Sequence, residues 1–208
     1  PIFDHQGQPC GFTARWLKWS KKEKYPKYSN SHNSTCFQKA NLLYGMHFSK
    51  KSTGRRLDVF EGNGSYITAM GHGHRSSVAI MGSSLSEKQV EVMQSMGFSH
   101  INLVLDADAT GRKKTSKFME MLSGREGLRV THTKLPDGHD PDSFITAEGL
   151  AEFYKLGTIS AFEFMLEEHV EEVNTGSTDK FITRMMRIIQ NTASRIERGQ
   201  QIKALSAI

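Results

Sequence analysis

The sequence predicts an α/β protein: a mostly parallel sheet flanked by helices, with a small mixed α+β subdomain before it and a helical subdomain after it. Three observations carry that reading. From Leu57 onward, short apolar runs alternate with helical patterns, as in parallel strands joined by crossover helices. The run at 101–105 is almost continuously apolar, which fits a strand in a sheet covered on both faces. The 208 residues also divide by charge. Residues 1–56 hold 11 Lys or Arg and two acids, a net of +9, and residues 57–208 hold 16 Lys or Arg and 20 acids, a net of −4. A basic front joined to an acidic remainder points to a polyanion-binding part beside a carboxylate-rich part.

Taken in order, residues 2–3 and 12–17 flank the polar turn His5-Gln6-Gly7-Gln8 and read as a hairpin. Residues 16–26 are a basic, aromatic loop punctuated by Pro26, and residues 29–35 are a second loop, almost wholly small and polar. Residues 57–60 open the sheet. Residues 64–70 are a helix and 77–81 the second strand. Gly82-Ser83-Ser84 leads into an amphipathic helix over 86–96, with Val90, Met93 and Met96 on one face and Gly97 as the stop. Residues 101–105 are the third strand, 110–122 a helix and 128–135 the fourth strand. After Asp142 the pattern is helical to its end. Phe162, Phe164, Met165 and Leu166 mark one helix, and Phe181, Met185, Ile188 and Ile189 mark another beyond a polar separator at 174–178. Methionines at this spacing are core residues. The expected division is 1–56, 57–145 and 146–208.

No run approaches the roughly 18 apolar residues of a membrane span, and no basic-then-apolar leader opens the chain. Cys10 and Cys36 form no CxxC pair, which argues against structural zinc and for two free thiols in a reducing cytoplasm. Gly71-His-Gly-His-Arg75 reads as a loop with solvent-exposed histidines. Lys113 and Lys114 read as solvated.

Three acidic sites each follow a predicted strand. Glu61 comes directly after 57–60, Asp106 and Asp108 directly after 101–105, and Asp140 and Asp142 shortly after 128–135. Ligands of open parallel sheets bind outside the carboxyl ends of the strands, so a parallel sheet gathers these acids on one rim. The i, i+2 spacing of Asp106 and Asp108 points both carboxylates the same way in extended chain. Carboxylates held side by side repel unless a cation intervenes. Hard divalent ions with oxygen ligands, Mg²⁺ or Mn²⁺, meet that need, and five carboxylates suffice for two. Singly, each motif has a plainer explanation; Asp140-Pro-Asp142, for instance, is also a good helix start.

Glu61-Gly62, Asp106-Ala-Asp-Ala-Thr-Gly-Arg112 and Asp137-Gly-His-Asp-Pro-Asp142 together resemble the TOPRIM fold of DnaG-type primases. Pro26-Lys-Tyr-Ser-Asn30, Phe37-Gln-Lys39 and Phe12-Thr-Ala-Arg15 resemble the basic segments of the same family, and the resemblance covers nearly the whole chain. It implies an enzyme, a DNA-directed RNA polymerase that makes RNA primers on single-stranded DNA from ribonucleoside triphosphates. It further implies catalytic Glu61, Asp106 and Asp108. Metal ligation falls to these three with Asp140 and Asp142. Arg15, Lys27, Tyr28, Asn30, Lys39 and Arg112 would hold the nucleotide or nucleic acid. One departure is Ser65, where the family carries an acid four residues after the glutamate.

The resemblance implies a monomeric core in the cytoplasm, of the host if phage-encoded. The family's N-terminal zinc-binding domain and the C-terminal region that meets the replicative helicase are absent from this sequence. Two other classes stay open at this stage: a TOPRIM nuclease or topoisomerase, and a non-catalytic nucleotide-binding or nucleic-acid-binding module.

Overall fold

The structure, a computed structural model, describes residues 1–207 apart from positions 19, 21, 23, 50–54 and 174–177. Trp19 of the aromatic loop and most of the separator before the last helices lie outside the described residues.

β1 (Ile2–Phe3) pairs antiparallel with β2 (Pro9–Gly11), so a hairpin forms, but its second strand arrives before Phe12. The Asp4 carboxylate accepts from the N–H groups of Gln6 and Gln8, at 2.8 and 2.9 Å, and closes the turn tightly enough to bring the chain back early. The next residues form a second hairpin. In it β3 (Thr13–Arg15) pairs with β4 (Tyr28–Asn30), setting Thr13 opposite Asn30 and Arg15 opposite Tyr28. The expected loop from residue 29 therefore starts as a strand. A short 3₁₀ turn (Lys39–Asn41) and α1 (Met46–Ser49) lead to the sheet.

The sheet contains β5 (Arg56–Phe60), β6 (Ser77–Ala79), β7 (His100–Val104), β8 (Arg129–Thr133) and β9 (Thr158–Ser160), in the order β6-β5-β7-β8-β9. The first four run parallel, as predicted, and β9 is antiparallel to β8. β9 corrects the expectation of unbroken helix after Asp142. The interposed helices are α2 (Asn63–Gly71), α3 (Glu87–Ser95), α4 (Ala109–Ser123) and α5 (Pro141–Lys155), followed by α6 (Ala161–Val173), α7 (Thr178–Asn191) and α8 (Arg195–Leu205). The cap of α3 is Ser86, in a reciprocal capping box with Gln89.

Both faces of the sheet are covered. Leu57, Val59, Ile101 and Leu103 point to one side, where residues of α3, α4, α6 and α7 close over them, Met93, Met119, Met165 and Met185 included. Phe60 and Val104 point to the other, against α2 and α5 through Tyr66, Ala69, Phe144, Ile145 and Phe153. Each such buried aliphatic or aromatic side chain contributes about 1.5–3 kcal/mol, which fixes the register and holds the strand ends in place. Cys10 and Cys36 are free thiols. Among the described residues no helix is long and apolar enough to cross a membrane.

The α2/α5 side also holds a buried polar row. Asp58, Asn102 and Thr131 stand at matched positions on β5, β7 and β8. Asn102 donates to Asp58, at 3.1 Å, and to Thr133, at 2.9 Å, and Thr131 donates to Asn102. His74, expected to be exposed, is 5% exposed and sits between Asp58, at 3.0 Å, and the Tyr154 hydroxyl, at 2.7 Å. Its burial follows from Asp58, since a carboxylate inside an apolar strand needs partners. Burial pushes the Asp58 carboxyl up, but the bonds from His74 and Arg56 outweigh it and leave the group below its ordinary value.

Candidate active site

Because β5, β7 and β8 are parallel, the loops leaving them open on the same rim, and the N-termini of α2, α4 and α5 follow those loops. The five predicted carboxylates stand there. Glu61 follows β5, and Asp106 lies two residues past β7. Asp108 is the N-cap of α4, its Oδ1 accepting from the Gly111 N–H at 2.7 Å. Asp140 caps α5 in the same way through the Ser143 N–H, also at 2.7 Å. Asp142, in the first turn of α5, accepts from the Thr68 hydroxyl at 2.5 Å and so ties α5 to α2. The helix start read at Asp140-Pro-Asp142 is thus real as well, with Asp140 as its cap and Asp142 in its first turn.

The carboxylates act on one another. Partial burial raises the Asp106 carboxyl, and the charges of Glu61, Asp140 and Asp108 raise it further, to about 6, with Lys114 pulling it back. A negative cluster of hard oxygen donors that disfavours its own ionisation fits a divalent cation. Among the described residues, no three Asp, Glu, His or Cys side chains already converge as a ready cation cage. Each of four has another partner: Glu61 is paired with Lys114, and Asp108, Asp140 and Asp142 hold the donors just named.

The basic and aromatic residues reach the same rim in part. A methyl placed on Gly64, in the first turn of α2, would lie 3.4 Å from Asp142 Oδ2 and 3.5 Å from the Tyr28 hydroxyl, so Tyr28 and Asp142 flank the same helix start. Arg15 places its guanidinium over the Tyr28 ring, 5.9 Å from the centroid. Asn30 follows on β4 with its side-chain oxygen buried and unbonded. The Lys39 ammonium lies against Gly82, just past β6. Lys27 is exposed beside Tyr28. Arg112 donates to Glu168 of α6, at 2.5 and 3.0 Å. Ser65 is buried within α2.

Sequence reasoning passed over three residues here. Lys114 is not a solvated lysine: its ammonium meets Glu61 Oε1 at 2.7 Å, with side chains 21% and 26% exposed. The spacing held the signal, because Gly111, Thr115 and Phe118 mark the buried face of α4 and residue 114 adjoins it. Thr68 and Asn63 lie on α2; the Asn63 side-chain oxygen is buried with no hydrogen-bond partner among the described residues. Nothing in their local sequence separates them from ordinary helix residues.

Comparisons with known proteins agree with this fold. Residues 59–145 match a family model described as Toprim-like, and residues 1–50 match one described as DNA primase catalytic core, N-terminal domain. The chain is 29% identical over 212 residues to the DNA primase of Clostridium acetobutylicum, an alignment that takes in 99% of this chain and 34% of that protein. It spans a quarter to a third of the length of the first curated relatives it matches. A DNA primase domain from Pseudomonas aeruginosa superposes with a TM-score of 0.82 at 25% identity, covering 100% of this chain and 66% of that one. A DnaG primase catalytic domain bound to single-stranded DNA superposes at 0.81 and 24% identity, covering 100% and 67%, a likeness of fold.

Proposed function

Since the chain belongs to the DnaG-type primase family, with a Toprim-like sheet at its centre, we propose that it is a primase catalytic core that joins ribonucleotides on a single-stranded DNA template. The observation that carries this is the rim itself: five carboxylates from three strand ends, among which burial and then Glu61, Asp140 and Asp108 raise Asp106 to about 6, beside a basic and aromatic segment that reaches them at Tyr28. In the reaction the 3′-hydroxyl oxygen of one nucleotide bonds to the α-phosphorus of the next and pyrophosphate leaves.

Glu61, Asp106, Asp108, Asp140 and Asp142 are the residues that would hold divalent ions, Mg²⁺ or Mn²⁺ and two in number. Bound there, such ions supply the charge neutralisation that lets a triphosphate approach carboxylates. Arg15, Lys27, Tyr28, Asn30 and Lys39 hold the triphosphate or the template from the outer side. Arg offers a two-pronged grip on phosphate and Lys a point charge. Arg112 joins them on leaving Glu168, a half-exposed pairing worth little. The single-stranded DNA in the related catalytic domain supports a template of that kind. We divide the chain into a basic subdomain at 1–56, the catalytic sheet at 57–145 and a helical subdomain at 146–208, and assign the helicase contact to a region beyond these.

The test supplies single-stranded template, labelled ribonucleotides and Mg²⁺ or Mn²⁺, with Asp108→Ala as control. Dinucleotide made by the parent and lost in Asp108→Ala supports the reading. No dinucleotide from the chain, alone or joined to a relative's zinc-binding domain, overturns it. Nicking of supercoiled DNA without nucleotides would favour strand cleavage instead. The buried Tyr66 is a poor nucleophile for that, since burial pushes its hydroxyl to about 12.

A further inference from the structure

Glu61 is the one predicted metal ligand whose described partner is a cation. Lys114 Nζ lies 2.7 Å from Glu61 Oε1, and both side chains are about three-quarters shielded from water. The ammonium is carried by α4, one turn beyond Gly111. That glycine lets the helix lie against the Asp106 backbone, so the packing that presents Asp106 also carries a fixed positive charge into the cluster. Lys114 is near enough to act on Asp106 as well. Lys113 and Lys117, on the same helix, are exposed and have no such position.

We propose that Lys114 is a built-in competitor for the cation at Glu61: its ammonium neutralises that glutamate in the ion-free protein, and a divalent ion engages Glu61 only by displacing it. This rests on the reading of the rim as a metal site. Two cations cannot share one side of a carboxylate without strong repulsion, and at partly shielded sites that repulsion is large compared with thermal energy. The lysine stem has four rotatable carbons and a compact charge, so it can swing out when an ion arrives. Lys114 thereby separates the two ions in affinity: the one at Asp106 and Asp108 meets its charge only at a distance, and the one at Glu61, which must break the ion pair, binds more weakly. Lys114 is a positioning residue in this scheme, acting through Glu61.

The test is a calorimetric Mn²⁺ titration of the ion-free chain, comparing the parent with Lys114→Met, Lys114→Gln and Lys114→Arg, each checked for folding by circular dichroism. Asp106→Asn serves as the control for binding at the rim. Removing the charge in Lys114→Met or Lys114→Gln should tighten the weaker step about tenfold. Lys114→Arg keeps the charge and should leave it as in the parent. Equal or weaker Mn²⁺ binding in the neutral variants overturns the competitor role while leaving the metal site standing. If no protein shows binding that Asp106→Asn abolishes, the metal reading of the rim falls, and the competitor role falls with it.

Discussion

Gly111 stands so close to Asp106 that a methyl group on its Cα would lie 2.0 Å from the Asp106 carbonyl oxygen and 2.9 Å from its carbonyl carbon. Backbone cannot yield as a side-chain tip can, so Gly111→Ala must move the start of α4 or the strand-end loop. We expect a loss of about 2 kcal/mol or more in stability. Primer synthesis should drop at least about tenfold, because small shifts in catalytic geometry are costly. Thermal unfolding and a dinucleotide assay on the same preparation check both. An alanine variant as stable and active as the parent would refute the close approach.

Asp106 should make stability depend on pH. Its ordinary value is 3.8 and in the folded chain it stands at about 6, raised first by burial and then by Glu61, Asp140 and Asp108. A carboxyl raised on folding contributes its full stability below pH 3.8 and loses it as pH climbs through about 6. At pH 8 the ion-free protein therefore carries the cost of an ionised group that Asp106→Asn would remove. We expect Asp106→Asn to stabilise the protein by about 1 kcal/mol at pH 8, allowing for solvent screening, with the gain fading toward pH 4. Melting curves in chelator at the two pH values decide it. A gain that is the same at both would exclude the titration.

The Thr68–Asp142 bond joins α2 to α5 beside the rim. Thr68→Val keeps the shape and removes the donor. A drop of about 1–3 kcal/mol in stability follows from leaving the partly buried carboxylate with a lost partner. Free to turn, Asp142 should also hold Mn²⁺ less well. A titration that shows unchanged Mn²⁺ affinity would remove Thr68 from the site.

The row from Tyr154 through His74 and Asp58 to Asn102 is structural in our reading. His74→Ala leaves a buried carboxylate short of a partner and should cost about 3 kcal/mol. Urea denaturation measures that cost. Mn²⁺ affinity at the rim should not change, and a change would mean that the row reaches the site.

Much of this was legible in the residues. The strands at Leu57 and Ile101 are apolar enough to declare themselves, and an acid placed just after each one has its position dictated by a parallel sheet. What escaped is short or tertiary in origin. Thr158-Ile-Ser160 becomes β9 only because β8 offers it an open edge, and Tyr28-Ser-Asn30 becomes β4 only opposite β3. Neither has an apolar rhythm of its own. His74 read as a loop residue because its reason for burial, Asp58, lies 16 residues away in sequence. Two residues apart, Lys114 reads as solvated and Arg112 as a phosphate contact. The turn of α4 sends one to Glu61 and the other to Glu168.

The two outermost parallel strands are both closed by borrowed chain. On one flank Tyr44 exchanges a pair of backbone bonds with Ala79 of β6, at 2.8 and 3.0 Å, and on the other β9 lies along β8. Bare strand borders invite pairing with neighbouring molecules. The parallel sheet is therefore not a removable cassette: a clone trimmed to residues 57–145 would keep every acid of the rim and yet leave both borders open to self-association.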